Sequence, residues 1–169
     1  MSSGVQILGM SLPAFTAFHV ALSLIGISSG LVVLLGMLGS FMLDRLTLLF
    51  LVTTVLTSLT GFLFPFHGVT PGIVVGILSL IVLLPAILAR YAFHLSGHWR
   101  AAYVVTSVIA LWFNVFVLIV QLFEKVPALH ALAPTQAASP FKITQILVLA
   151  VFIVLGARAV RKFHPAPAA

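Results

Sequence analysis

The segment "SLIVLLPAILARYAFHLSGHWR", residues 79–100, decides the fold class, because a long apolar run ends abruptly in a short polar island. The run carries no charge before Arg90, and a second long apolar run follows Arg100. A membrane β-strand would alternate apolar and polar residues over about 10 positions, and this run does not alternate. The pattern therefore predicts membrane-crossing helices, whose backbone groups bond internally, joined here by a polar turn.

The composition extends this prediction to the whole chain. Its 169 residues are 62% hydrophobic and only 6% charged, and the mean hydropathy is +1.31. A soluble domain carries roughly 25% charged residues, so the polar residues here are too few to coat a water-soluble surface. We expect one transmembrane domain over residues 1–163, followed by a short C-terminal tail over residues 164–169.

Cysteine content and charge limit the chemistry and the partners. The chain has no cysteine, which excludes disulfides, iron–sulfur ligation, thiolate nucleophiles and covalent haem attachment. Its net charge is +6, and the basic residues lie at the ends of apolar segments. Anionic lipid headgroups are therefore the expected partner, and nucleic acid is not.

A spanning helix needs about 20 mostly apolar residues, and five segments satisfy this requirement. The predicted fold is an all-α, polytopic membrane helix bundle. Its five predicted transmembrane helices cover residues 14–38, 46–64, 70–88, 101–123 and 141–160.

The basic residues predict the orientation of the bundle through the positive-inside rule. Five alternating crossings place six of them on one side and only Lys125 and Lys142 on the other. The predicted orientation is N-out and C-in. Residues 1–13 carry no Lys or Arg, so the first apolar segment is expected to be retained rather than cleaved as a signal peptide. The six residues on the predicted cytoplasmic side are Arg45, Arg90, Arg100, Arg158, Arg161 and Lys162.

The polar island contains His94 and His98, which are four positions apart and would share one face of a helix. Such a pair could bind a metal or haem. However, Gly97 lies between them in "LSGH", a pattern typical of a turn. The preferred interpretation is an interfacial turn with no ligand.

Two small-residue motifs predict close helix packing. They are "GISSG", Gly26 to Gly30, and "GIVVG", Gly72 to Gly76. Glycine has no Cβ, so two helix backbones can approach closely at such a motif. Packing within the bundle is the favoured interpretation, and a homo-oligomer interface is the alternative. Pro85 is expected to bend the third helix.

Polar residues inside the predicted spans are candidate site residues, because hydrocarbon cannot satisfy their hydrogen bonds. Their depths place His19, Gln121 and Gln145 in one outer-leaflet layer, with Asn114 below it and His67 in an outer loop. If these side chains converge, they form a polar pocket. The expected walls of that pocket are Phe15, Phe18, Phe62, Phe64, Trp112 and Phe116.

Three interpretations of this layer remain open. A quinone headgroup needs one or two hydrogen-bonding side chains in an apolar slot, which His19 and a glutamine could supply. A b-type haem needs an iron-binding histidine, and His19 with His67 is the one plausible cross-helix pair. The third interpretation is a network of hydrogen bonds between helices that binds nothing.

The acidic residues argue against catalysis and ion coupling. Asp44 and Glu124 are the only carboxylates, and the predicted topology places them on opposite faces of the membrane. No carboxylate pair can then carry out acid–base chemistry, and no acid inside the membrane can couple an ion.

Several stretches resemble an uncharacterised family of small proteobacterial integral membrane proteins. They are "HVALSLIGISSGLVV", "TTVLTSLTGFLFPF", "ARYAFHLSGHWR", "NVFVLIVQLF" and "VPALHALAPTQ". The resemblance implies a bacterial inner-membrane location and implies no activity, cofactor or site. The chain also shows a weaker resemblance to the cytochrome b561 type. It departs from that type in its histidines, because only one histidine lies inside a predicted span.

Together these observations predict a small non-enzymatic membrane protein, structural or accessory to a larger membrane complex. The alternative is a redox-linked protein that binds a quinone or b-type haem around His19.

Overall fold

The computed structural model describes residues 6–65 and 71–165, and within them it shows an all-helical bundle. The predicted helix bundle is thus confirmed. His67, a predicted site residue, lies outside the described residues. The helices are α1 (Leu12–Leu38), α2 (Asp44–Gly61), α3 (Pro71–Ile87), α4 (Trp99–Lys125), α5 (Pro127–Leu132) and α6 (Ser139–Lys162). A π-helical turn, Leu88–Ala92, follows α3, and the two-residue strands β1 (Gln6–Ile7) and β2 (Met10–Ser11) pair before α1.

Prolines mark where several helices begin. Pro13, Pro127 and Pro140 each occupy one of the first two positions of α1, α5 and α6. Proline fits there because its fixed φ suits a helix and its missing N–H would have no partner in the first turn. Pro85 instead lies inside α3, where it removes one backbone donor shortly before the π-helical turn.

Four helices in the described part of the chain are long and apolar enough to cross a membrane. They are α1, Gly72–Ala92 (α3 with its π-helical turn), α4 and α6, with mean hydropathies of 2.3, 2.8, 2.3 and 2.3. The helix predicted for residues 46–64 is present as α2, but α2 is not one of these four. Its 18 residues include Asp44 and Arg45, which lower its mean hydropathy. Threonine and serine residues along it act in the same direction.

α1 and α2 pack antiparallel along nearly the whole of α2. His19 contacts Thr60 near one end of the pair, at 2.8 Å. A Cβ built on Gly30 would lie 2.8 Å from Phe50, and one built on Gly36 would lie 2.8 Å from Leu43. In these three contacts the residue numbers increase along α1 while those of the partners decrease along α2. The two helices therefore run in opposite directions between the same two ends of the bundle.

Most of the basic residues lie at one end of the bundle, which we call the basic end. Arg90, in the π-helical turn, forms an ion pair with Asp44 at the start of α2. The backbone N–H of His164 donates to Oγ of Ser40 at 2.8 Å, which joins the chain after α6 to the chain after α1. The basic residues at this end are Arg45, Arg90, Arg100, Arg158, Arg161 and Lys162.

The core lies mainly between α1, α2 and α4. In the most apolar stretch of α1 and of α4, 50% of the residues are buried, compared with 22% for α3 and 17% for α6. Tyr103, Phe50 and Leu111 are among the largest side chains fully removed from the surface. α3 and α6 therefore flank the core and present most of their apolar surface outward.

The glycines of α1 allow this close packing. A Cβ added at Gly30 would lie 2.7 Å from Leu111 and 2.8 Å from Phe50. One added at Gly26 would lie 3.2 Å from Oγ1 of Thr53. The predicted use of the first small-residue motif in packing within the bundle is confirmed.

Candidate functional site

His19 on α1 is hydrogen-bonded to α2. Its Nδ1 lies 2.8 Å from Oγ1 of Thr60, and that hydroxyl donates its own hydrogen to the carbonyl of Leu56 at 2.7 Å. With the hydroxyl hydrogen on the Leu56 carbonyl, the matching tautomer of His19 carries its proton on Nδ1 and donates it to Thr60. In that tautomer the Nε2 atom of His19 is a hydrogen-bond acceptor.

Aromatic rings pack on one side of the His19 imidazole. The ring of Phe64 lies edge-on to it, with centroids 5.2 Å apart, and Phe15 packs on Phe64 at 5.0 Å. Of the predicted pocket walls, Phe64 therefore contacts His19, and Phe15 packs behind Phe64. A Cβ built on Gly61 would meet Cε1 of His19 at 3.6 Å.

Asn114 lies between α4 and α2. Its Nδ2 donates to Oγ1 of Thr54 at 3.1 Å, and Thr54 is completely buried. Gly26 of α1 faces the same two side chains, since its added Cβ would lie 3.3 Å from Oγ1 of Thr54 and 3.6 Å from Nδ2 of Asn114. Asn114 thus belongs to a polar contact at the centre of the bundle, where three helices meet.

Gln145 is buried between α6 and α4. Its Nε2 donates to the carbonyl of Phe116 at 3.2 Å. Its Oε1 is buried and has no hydrogen-bond partner among the described residues. An acceptor buried without a partner costs about 1–3 kcal/mol of stability. Gln121 is half-buried further along α4.

These side chains lie at three different helix–helix interfaces, α1–α2, α2–α4 and α4–α6. His19 and Asn114 both bond to α2, at Thr60 and Thr54, which are separated by roughly 9 Å along the helix axis. Gln145 bonds instead to α4, on the flank where α6 packs. The sequence had predicted their depth, but depth does not fix which neighbour each side chain faces.

A groove between α4 and α6 was not anticipated from the sequence. It has a volume of about 260 Å³ and an almost wholly apolar lining. Trp112 lines it, and the indole Nε1 has no hydrogen-bond partner among the described residues. Apolar lining residues do not differ in type from those elsewhere on a membrane helix, so the sequence pattern carries no signal for this groove. The lining residues are Val105, Val108, Ile109, Trp112, Leu149, Phe152, Ile153, Gly156, Ala157 and Val160.

A second cavity, of about 230 Å³, lies at the opposite end of the bundle, beside α5. Glu124, His130 and Gln136 line it together with the rings of Phe123 and Phe141. Gln136 donates to Glu124 at 3.3 Å. α5 was not predicted from the sequence, because a helix of only six residues, beginning with a proline, gives little periodic signal.

The histidines of the polar island do not form a ligand pair. His94, Leu95 and Gly97 have positive φ values of 48°, 59° and 52°, so the chain turns sharply before α4 begins at Trp99. His94 and His98 therefore do not share a helix face, and the predicted turn is confirmed. Nowhere in residues 6–65 and 71–165 do three or more His, Asp or Glu side chains form a group that could hold a metal ion.

Comparison with family models, with curated proteins and with solved structures finds no match to the chain. The class of protein consequently rests on the fold itself. Four helices able to cross a bilayer, packed around a shared core, define a multi-pass helical membrane protein.

Proposed function

We propose that all five long helices cross a bacterial inner membrane, with the N-terminus outside and the C-terminus inside. The antiparallel contacts of α2 with α1, from Thr60 to Leu43, support the crossing by α2. At about 1.5 Å per residue, its 18 residues extend roughly 27 Å, close to the thickness of the hydrocarbon layer. The six basic residues at the basic end support its cytoplasmic location.

Within that membrane, we propose a non-enzymatic role as a structural or accessory subunit that packs against a larger complex. The observation that carries this proposal is how the polar groups inside the spans are used. His19 pairs with Thr60, Asn114 with Thr54 and Thr47 with Tyr103, each between two helices. Such pairs hold the helices of the bundle together.

The outward faces of α3 and α6 offer the surface for such a partner. Only 22% and 17% of their most apolar stretches are buried within the chain. Ile146 and Leu147 of α6 are 64% and 61% exposed. In lipid, apolar contact alone gives little net attraction, so a partner would be recognised by shape and close packing.

Gentle solubilisation followed by affinity purification tests this role. The expected result is a stoichiometric partner that is lost when Ile146→Trp and Leu147→Trp alter the outward face of α6. Leu24→Trp, on the exposed face of α1, is the matched control. A monomer without partner in several mild detergents would contradict the accessory role.

A second candidate function, binding of a quinone or b-type haem, is favoured by one specific observation. In the tautomer of His19 whose Nδ1 donates to Thr60, Nε2 is left as an acceptor. Histidines that bind a metal commonly donate their other ring N–H in this way, and a free Nε2 also suits a quinol hydroxyl.

An absorbance spectrum and mass analysis of a lipid extract test this candidate. A Soret band lost in His19→Ala would support haem, and co-extracted quinone lost in His19→Ala or Gln145→Leu would support a quinone. Ser23→Ala is the control, because its hydroxyl bonds only to the carbonyl of His19 one turn away. Absence of both signals in the wild type would exclude the candidate.

A further inference from the structure

The groove between α4 and α6 has the length of one membrane leaflet. It extends along α6 from Leu149 to Val160, which corresponds to roughly 16 Å at 1.5 Å per residue. Half of a bilayer's hydrocarbon core is about 15 Å thick. The groove begins near the middle of α4, at Trp112, and ends at the basic end of the bundle. Its dimensions therefore match one acyl chain of the leaflet at that end.

A positive charge is held where the groove meets the basic end. Nη1 of Arg100 donates to the carbonyl of Val160 at 2.9 Å and to that of Phe163 at 2.7 Å. Val160 lines the groove, so the guanidinium lies directly beside its end. These two carbonyls are at the C-terminus of α6, where free carbonyls and the helix dipole favour a cation.

The guanidinium keeps donors for a ligand after forming these bonds. Arginine has donors on Nη1, Nη2 and Nε, and the two carbonyls use only Nη1. Arg161, one residue beyond Val160, is exposed and adds a second positive charge. A phosphate accepts hydrogen bonds from such donors and is attracted by both charges.

We propose that the groove binds an anionic phospholipid from the leaflet at the basic end. One acyl chain lies in the apolar groove, and the phosphate contacts Arg100 and Arg161. Charge complementarity and the matching length favour this occupant over a second copy of the chain. The inference depends only on insertion in a membrane, and neither the accessory role nor the redox candidate is needed for it.

Native mass spectrometry of protein exchanged into mild detergent with phosphatidylglycerol or phosphatidylcholine tests the proposal. The wild type is expected to retain one phosphatidylglycerol per chain and several-fold less phosphatidylcholine. Ala157→Phe, an exposed lining position, fills the groove and is expected to lose the retained lipid. Ala150→Phe, also exposed on α6 but outside the lining, is the matched control and should retain it.

The charge is tested separately from the groove. Arg161→Gln should lower the preference for phosphatidylglycerol while still permitting lipid retention, and circular dichroism of each variant checks that the helices remain folded. Equal retention by Ala157→Phe and Ala150→Phe would overturn the proposal, as would equal retention of the two lipids by the wild type. A dimer abolished by Ala157→Phe would also overturn it, because a second copy would then occupy the groove.

Discussion

His19 and Thr60 form a hydrogen bond of 2.8 Å that joins the first two helices near the end opposite the basic residues. The hydroxyl of Thr60 also donates to its own helix, so one threonine serves both as acceptor for α1 and as donor within α2. The bond constrains the rotation of α1 relative to α2. The strength of this bond therefore indicates how much such polar pairs contribute to the stability of the bundle.

A double-mutant cycle with His19→Leu and Thr60→Val should give a coupling energy of about 0.6 kcal/mol, the average for bonds between membrane helices. Reversible unfolding in mixed detergent measures the free energy of unfolding for the cycle. Thr16→Val is a suitable control, since its hydroxyl bonds only within α1. A coupling energy of zero would mean that the pair does not form in the membrane.

Gly30→Ala should lower the free energy of unfolding by about 1–3 kcal/mol, because overfilling a packed core forces neighbouring groups to move. The new Cβ would lie 2.7 Å from Leu111 and 2.8 Å from Phe50. Gly61→Ala is the matched control, since its Cβ meets only His19, at an ordinary 3.6 Å. Equal thermal midpoints for the two variants would contradict the packing described for α1.

Thr47 and Tyr103 form a pair, 3.2 Å apart, in which each residue is only 1% exposed. Thr47→Val should cost about 1–3 kcal/mol of unfolding free energy, because the tyrosine hydroxyl is left buried without a partner. Adding Tyr103→Phe should recover much of that loss, since both polar groups are then absent. Denaturant titration measures both effects. Strictly additive losses would show that the two hydroxyls do not interact.

The number of crossings can be tested by labelling, and the absence of native cysteine makes single-cysteine variants straightforward. If α2 crosses, Ser40→Cys and Ser96→Cys lie on the same side of the membrane, and Ala137→Cys lies on the other. In intact cells an impermeant maleimide should then label only Ala137→Cys. Labelling of just one of the two serine positions would show that α2 does not cross.

The sequence predicted the positions of the helices well. All five predicted segments are helices, with ends within a few residues of α1, α2, α3, α4 and α6. The length of each apolar segment determines these helices, and that length can be read directly from the sequence. The turn around Gly97 was also predictable, because glycine is the residue that most readily adopts a positive φ.

The contacts of the candidate site were less predictable. His19 and Gln145 were predicted to lie at similar depths, yet one bonds to α2 and the other to α4. Helices that are apolar on every side carry no signal for their rotation about the axis. The groove could not be predicted from the sequence for the same reason, because it results from how α4 and α6 pack and not from any residue type.

The contact between Ser40 and His164 links the first loop of the bundle to the end of the last long helix. A chain emerging from the ribosome contains α1 and α2 long before α6 exists. The contacts that complete the bundle can therefore form only after α6 has been synthesised, and the earlier helices must remain in lipid or beside the insertion machinery until then. Truncations before α6 should leave an open intermediate that quality-control proteases recognise.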